Sequence, residues 1–387
     1  MAHSLFFFPD YRGANPYQRL MYAHAAPELH PQAGTITEAL ARTAQSAPGE
    51  RVIFHLHWED AVYRNEPDED AALRAAETFL DQLERFLDAG GFLVWTMHNA
   101  APHDGRYLRI HQLLLQWLPE MADLVHVHSQ AAADHARRVL EIEPARIAVI
   151  PHGNYRPLYR RIGLPVVGSR AVFGLGPEDR VLLLFGRLGS YKGGEDLLAA
   201  FAGTRSNLRL VIAGKQIHSL RGAVDALPAE RRDRVVVIER FIGEEEVPAL
   251  FHAADAVALP YRSILTSGAA MLALSLRRPV IAPGFPALRE LLEDGRDSLL
   301  FAPGSVDDLS RALDRFGALD EARLAALQSG AGATADRYDW QMSGLLLSGL
   351  YYRLLTMLRP QRRLAPPVAL ATEPAGVGIE PTRADAA

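Results

Sequence analysis

Short apolar runs separated by amphipathic stretches recur along most of the chain. Runs at residues 5–8, 52–57, 92–97, 124–128 and 147–150 are strand-length and rich in aromatic and β-branched residues, and they predict buried strands. Between them, residues 71–87 and 106–118 carry apolar positions at helical spacing. A parallel pair of strands needs a long crossover and a helix supplies it, so strands alternating with helices predict a parallel sheet covered on both faces. Residues 156–179 break the pattern with Pro157, Pro165, Gly168, Gly174, Gly176 and Pro177, and read as a linker. The alternation resumes with runs at 181–185, 208–212, 235–239, 256–259 and 280–282. The expected fold is therefore α/β, with two doubly wound halves, 1–156 and 180–339, joined by a linker at 157–179. A last helical stretch, 340–358, is expected to pack back on the first half. From 360 to 387 the chain is rich in Pro, Ala and Gly without periodicity, which predicts a disordered tail.

Composition narrows the class. The chain has 387 residues, 49% of them apolar, enough for two cores. A formal charge of −5 removes the electrostatic case for a nucleic-acid partner. The absence of cysteine excludes disulfides, thiolate metal sites and cysteine nucleophiles. No apolar run reaches the ~18 residues of a membrane span. Met1-Ala2-His3-Ser4-Leu5 does not open a signal peptide, so a cytoplasmic location is expected. Two residue types are oddly distributed. Only Lys192 and Lys215 of the 41 cationic residues are lysines, and twelve of the 14 histidines lie at or before His152.

Ligands of open parallel sheets bind beyond the C-terminal ends of the strands, so two facing sheets place their strand-end loops across a shared cleft. The loop at 185–194 contains Gly186, Arg187, Ser190 and Lys192 and precedes a helix expected near Gly193. Glycines, two cations and helix amides suit a diphosphate. Taken alone, the loop is slightly better explained as a strand-to-helix turn with solvated cations. The loop at 258–269 carries Tyr261, Thr266, Ser267 and Gly268 before an apolar helix, a second start of the same kind. Gly214 and Lys215 end another strand, where an exposed turn is the simpler reading. In the first half, His98 follows a strand and is placed to exchange a proton with a substrate hydroxyl. Asp104, Glu59 and Asp60 are the carboxylate alternatives. Gly13 and Asn15 follow the first strand, and His152 and Asn154 stand at the hinge. His55 and His57, like His126 and His128, share one face of a strand. No further ligands are spaced for a metal, so buried hydrogen-bonded histidines are the simpler account and no metal is expected. No Gly-x-Ser-x-Gly elbow appears.

Taken in order, several segments resemble the two-domain GT-B glycosyltransferases, and among them the inverting GDP-mannose-dependent β-mannosyltransferases of bacterial exopolysaccharide (xanthan-type) assembly. They are Ala14-Asn15-Pro16-Tyr17, His55-Leu56-His57-Trp58, Thr96-Met97-His98-Asn99, His152-Gly153-Asn154-Tyr155-Arg156, Phe185-Gly186 with Tyr191-Lys192-Gly193, and Leu259-Pro260-Tyr261 through Ser267-Gly268. The commonest retaining members carry two glutamates eight positions apart before a Pro-Val-Ile-Ala segment; counted back from Pro279-Val280-Ile281-Ala282, those positions are Ile264 and Leu272. The resemblance implies two Rossmann-like domains facing a cleft, an acceptor-binding first half and a nucleotide-sugar-binding second half. It implies GDP-mannose as donor, with UDP-glucose or UDP-glucuronate as alternatives. No cofactor or metal is implied, the leaving diphosphate being met by Arg187, Lys192 and the amides near Ser267 and Gly268. The implied acceptor is a polyprenyl-diphosphate-linked oligosaccharide, reached through peripheral contact with the inner face of the cell membrane, for which the amphipathic 106–118 segment is the candidate. A nucleotide-sugar epimerase and a non-catalytic nucleotide-sugar-binding subunit are the competing classes.

Overall fold

The computed structural model describes residues 3–100, 105–162, 169–215 and 220–357. Two six-stranded sheets, parallel throughout, organise the chain. The first contains β1 (Ser4–Phe8), β2 (Pro31–Ala33), β3 (Val52–Leu56), β4 (Phe92–Thr96), β5 (Leu124–Val127) and β6 (Ile147–Val149), in the order β2-β1-β3-β4-β5-β6. The second contains β7 (Arg180–Phe185), β8 (Leu208–Ala213), β9 (Val235–Ile238), β10 (Ala256–Ala258), β11 (Val280–Pro283) and β12 (Ser298–Phe301), in the order β12-β11-β10-β7-β8-β9. Strands β2 and β12 had no counterpart among the predicted runs. Both are short edge strands, each paired on one side only, with β1 and β11. Their conformation is set by register with that neighbour rather than by a local pattern.

The inner strands β3 and β4 are buried along their whole length. One face is covered by the Glu69–Asp88 helix, whose buried Ala72, Ala76, Phe79, Leu83 and Phe86 fall on one stripe and whose start is capped by the Asp68 carboxylate. The Leu108–Met121 helix likewise buries Ile110, Leu113, Leu114 and Leu118. The opposite face receives the Trp340–Thr356 helix, which returns from the second half to pack Trp340, Leu347, Tyr351 and Leu354 against Leu5, Ile53 and Val94. Among the described residues no helix is long and apolar enough to cross a membrane.

The two halves are joined behind the cleft. Asn154 Nδ2 donates to the carbonyls of Ala335 (3.1 Å) and Tyr338 (2.6 Å), and Tyr155 N donates to Ser275 Oγ at 2.9 Å. A Cβ on Gly153 would lie 2.4 Å from the Trp340 ring, so the bare backbone lets the returning helix close in. In a further contact between the halves, Glu290 accepts from the amides of Gln130 (2.8 Å) and Ala131 (2.5 Å), placing a carboxylate at the start of the Gln130–Val139 helix.

Candidate active site

A chamber of about 180 Å³ opens between the sheets, walled by the strand-end loops of both halves. From the first half come Asn15, Tyr17, Trp58, His98, Asn99 and His152. They follow β1, β3, β4 and β6, as the topology of an open parallel sheet requires. The second half contributes Tyr191 and Lys192 after β7 and Tyr261 with Thr266, Ser267 and Gly268 after β10.

Lys192 is only 6% exposed. Its Nζ donates to Tyr261 Oη at 3.1 Å and lies 4.8 Å from the centre of that ring. Burial opposes the ammonium charge, but Tyr191, Tyr261 and the hydrogen bond outweigh it and hold the pKa above the ordinary value. The cation is thus kept in an enclosed wall where its charge is little screened. Tyr261 and Ser267 are 2.7 Å apart through their hydroxyls, and Ser267 Oγ also accepts the amide of Ala270 at 3.0 Å, capping the Gly268–Ser275 helix. Thr266 Oγ1 is buried without a hydrogen-bond partner among the described residues, an acceptor and donor position in the chamber wall. The wall therefore offers a buried ammonium, three hydroxyls and a helix start, which together suit an anion.

Glycine is demanded where these loops meet. Gly193 has φ +67°, and a Cβ there would lie 1.9 Å from the Pro260 carbonyl. Gly214 has φ +143°, with Gly186 O 1.9 Å from its would-be Cβ. Gly186 and Gly214 thus serve the close packing of β7 and β8 ends. Gly268 lies against the first half, its would-be Cβ 3.1 Å from Tyr155 Oη and 3.7 Å from His152 Nε2.

On the opposite wall, Tyr17 is the centre of an aromatic cluster. The rings of His57, Trp58, His98, His128, His152 and Trp340 all lie 5.0–5.8 Å from its own. Trp58 stacks flat on His98, 4.2 Å away at 9°. The four histidines in and just after β3 and β5 are buried and hydrogen-bonded. Burial, and for His55, His57 and His128 also the neighbouring imidazoles, keeps them neutral; His126 is lowered to about 4. His152 is also held at about 4 by burial, its Nδ1 donating to the Gly153 carbonyl at 2.7 Å. Among the described residues no group of three or more His, Asp or Glu is arranged to hold a metal ion.

Several candidates read from the sequence are placed elsewhere. Glu59 is buried behind the wall, accepting from Trp95 Nε1 at 3.2 Å and lying 3.8 Å from His111 Nδ1. Burial, with Asp60 adding to it, pushes its carboxyl up to about 8. It is no chamber residue, and neither is Asp60, which Arg64 engages at 3.2 Å. Asp104 lies outside the described residues. Gly13 is exposed, and Asn154 is spent on the hinge. Arg187, Ser190 and Lys215 are exposed and do not line the chamber. The Lys215 carbonyl accepts from Leu188 N at 2.9 Å, a turn contact. Conversely, Tyr17, Trp58, Tyr155 and Tyr191 line the chamber and were not singled out. The available signal was that each adjoins a named residue in a strand-end loop.

Comparison with known proteins gives the chemistry its class. Residues 179–317 match the family described as glycosyl transferases group 1, and residues 83–153 match glycosyltransferase family 4. The fold is shared with a sucrose-phosphate synthase from Thermosynechococcus elongatus (TM-score 0.61, 18% identity, 92% of this chain and 99% of that one). It is also shared with Anabaena Alr3699/HepE, solved with UDP and glucose (TM-score 0.65, 18% identity, 91% and 100%). Two Rossmann-like domains facing a cleft, with these family matches, make the chain a glycosyltransferase of the GT-B class, a hexosyltransferase. Over 348 residues it is 26% identical to the GDP-mannose:glycolipid 4-beta-D-mannosyltransferase of Xanthomonas campestris pv. campestris, covering 88% of this chain and 89% of that one. A D-inositol 3-phosphate glycosyltransferase of Corynebacterium efficiens is 32% identical over 259 residues, covering 61% of this chain and 55% of that one.

Proposed function

We propose that the enzyme transfers mannose from GDP-mannose, with inversion, to a polyprenyl-diphosphate-linked oligosaccharide in exopolysaccharide assembly. The observation that carries the donor is the near full-length likeness to the Xanthomonas GDP-mannose:glycolipid mannosyltransferase. The chamber supports the chemistry. At about 180 Å³ it is smaller than the ~300–1,000 Å³ of a typical ligand site, so it suits the reacting end of the donor rather than the whole nucleotide sugar. The diphosphate lies against Lys192, Thr266, Ser267 and the amides at Gly268, which stabilise the negative charge it acquires on leaving. Those groups are the protein's own, so the reading requires no metal. His98, on the facing wall, takes the proton of the acceptor hydroxyl as that oxygen attacks the anomeric carbon. Ile264 lines the chamber where a retaining enzyme has a glutamate, which favours inversion.

An open groove of about 480 Å³ begins at Phe8 in the first half and runs between Ile36 and Phe79, with Arg74 and Glu66 among its lining. It is our candidate for the acceptor. The Leu108–Met121 helix spends its apolar face on the core, so peripheral membrane contact, if the acceptor is lipid-linked, needs another surface.

The test has two arms. Thermal shift is measured against GDP, UDP, dTDP and ADP, and transfer is measured with labelled GDP-mannose and a lipid-linked oligosaccharide. We expect GDP to shift the transition most. A preference for UDP would move the donor to a UDP-sugar, and the absence of any shift would support a non-catalytic subunit. The anomeric configuration of the product decides inversion.

A further inference from the structure

The Trp340–Thr356 helix turns small polar residues inward and large apolar ones outward. On its inner face Ser343 Oγ donates to the Pro151 carbonyl at 2.9 Å. Ser348 Oγ donates to the Gly344 carbonyl at 2.8 Å and accepts the amide of Ala26 at 3.0 Å. Gly344 brings the helix close to His24, whose Cβ would lie 2.6 Å from an added Cβ. The outer face carries Met342, Leu345, Leu346, Gly349, Tyr352 and Thr356, whose spacing of three and four residues makes one stripe. Met342 is 58% exposed, Leu345 57% and Leu346 46%. A surface helix ordinarily shows its polar side to water, and a helix apolar on both sides is ordinarily buried. Here the outer half of a largely apolar helix stands open, with Met357 exposed just beyond its end. Contiguous apolar surface of this kind marks a contact.

Charge identifies what meets it. From Trp340 to Thr372 the sequence has no Asp or Glu, and its charged residues are Arg353, Arg359, Arg362 and Arg363, in a chain whose formal charge is −5. Arg353 is exposed beside the stripe, donating to the Ala145 carbonyl at 3.2 Å. Glu28, at the rim, is engaged by the Tyr352 hydroxyl. A symmetric contact with a second copy would bring these arginines together. Anionic lipid headgroups neutralise them instead, a guanidinium matching a phosphate through paired hydrogen bonds. Leucine and methionine on one face with arginine beside them is the pattern of a helix that lies in a membrane interface. It does not span, since no helix among the described residues is long and apolar enough.

We propose that the outer face of the Trp340–Thr356 helix, with the arginines that end and follow it, docks the enzyme on an anionic lipid surface. Trp340, at the start of this helix, is 5.4 Å from the ring of the chamber residue Tyr17, so the face begins about one helix diameter, ~10 Å, from the chamber wall. The groove offered for the acceptor lies on the other face of the sheet, but it starts at Phe8, on the same strand-end edge that Trp340 borders. A lipid-linked acceptor, as proposed above, gives such docking its use, and the inference rests on that reading for its purpose alone.

The experiment is flotation of the full chain, without donor or acceptor, with vesicles of phosphatidylcholine alone or mixed with phosphatidylglycerol. We expect binding to the mixed vesicles that weakens with salt, and little binding to phosphatidylcholine. Leu345→Ser with Leu346→Ser should weaken binding at least ~10-fold at an unchanged thermal midpoint, both side chains being exposed. Arg362→Ser with Arg363→Ser should weaken it by about 10–30-fold, and carries the readout should the leucine variant fail to fold. Val172→Ser, which removes an exposed apolar residue from the second half, should bind as the parent does. Failure of the parent to bind mixed vesicles overturns the proposal, as does parent-like binding by both double variants. Concentration-dependent dimers that the leucine variant abolishes, without vesicle binding, give the face to a second copy and overturn it too. Vesicle binding together with no thermal shift on GDP upholds the docking face and overturns only the reading of the donor.

Discussion

In the proposed reading, Lys192 concentrates the donor chemistry in one side chain. It is a compact ammonium, buried, beneath a tyrosine and beside a capped helix start. Arginine elsewhere serves as the general cation of this chain, whereas Lys192 presents a compact point charge. Lys192→Ala is expected to lower kcat/KM for transfer at least ~10-fold, measured with saturating acceptor. Unchanged kinetics would remove it from the site. Glu59 makes the opposite case. Its carboxyl, held near 8 against an ordinary 4.5, keeps a proton that the unfolded chain gives up. The stability this contributes is therefore full below about 4.5 and drains as pH rises toward 8. Glu59→Gln should unfold at higher denaturant than the parent at pH 8, by on the order of 1–3 kcal/mol, with the difference shrinking toward pH 5. A difference independent of pH would mean the group is ionised in the folded state. The sequence showed Glu59 and Asp60 as a carboxylate pair at a strand end. It did not show that Trp95 and Arg64 engage them.

At the scale of the element, the informative units are strand ends followed by helix starts. The Lys192 turn and the Tyr261 loop meet through Gly193, where neither a side chain nor an ordinary φ is admissible. Arg262 reinforces that junction, its guanidinium held by Asp196 at 2.8 and 2.9 Å and its amide by the Tyr191 carbonyl at 2.9 Å. Gly193→Ala is expected to destabilise the second half by at least ~2 kcal/mol and to displace Lys192, read as a lower thermal midpoint together with a weaker shift on adding GDP. A fully stable variant would show that the Pro260 loop gives way. Most strands were legible because buried parallel strands write themselves as continuous apolar runs. The edge strands β2 and β12 were not, since three or four residues paired on one side leave no pattern. The 106–118 helix was legible as amphipathic, but which partner takes its apolar face was not; the structure gives that face to the core.

For the whole molecule, the buried histidines couple folding to pH. Burial holds His126, His152 and His111 down to about 4, and His55, His57 and His128 are lowered as well. The unfolded chain protonates these groups near 6.5 and the folded chain does not. Stability is therefore present above about 6.5 and is lost as pH falls toward 4. At pH 5.5 the loss is on the order of 1 kcal/mol per imidazole, so denaturant midpoints should fall steeply between pH 7 and 5 with several protons taken up. A flat profile would mean that these rings are charged or solvated in the folded protein. The sequence by itself determined the layered α/β architecture, the two halves and most of the strand-end loops that wall the chamber, because burial periodicity and turn residues are local properties of a chain. It also determined that His98, Lys192, Tyr261 and Ser267 stand at strand ends. Only the tertiary structure decided which of those ends face one another. The helix that crosses back on Trp340, the tie from Asn154 to Tyr338 and the stacking of Trp58 on His98 join residues far apart in the sequence. That choice depends on packing between surfaces, which no short window of sequence records.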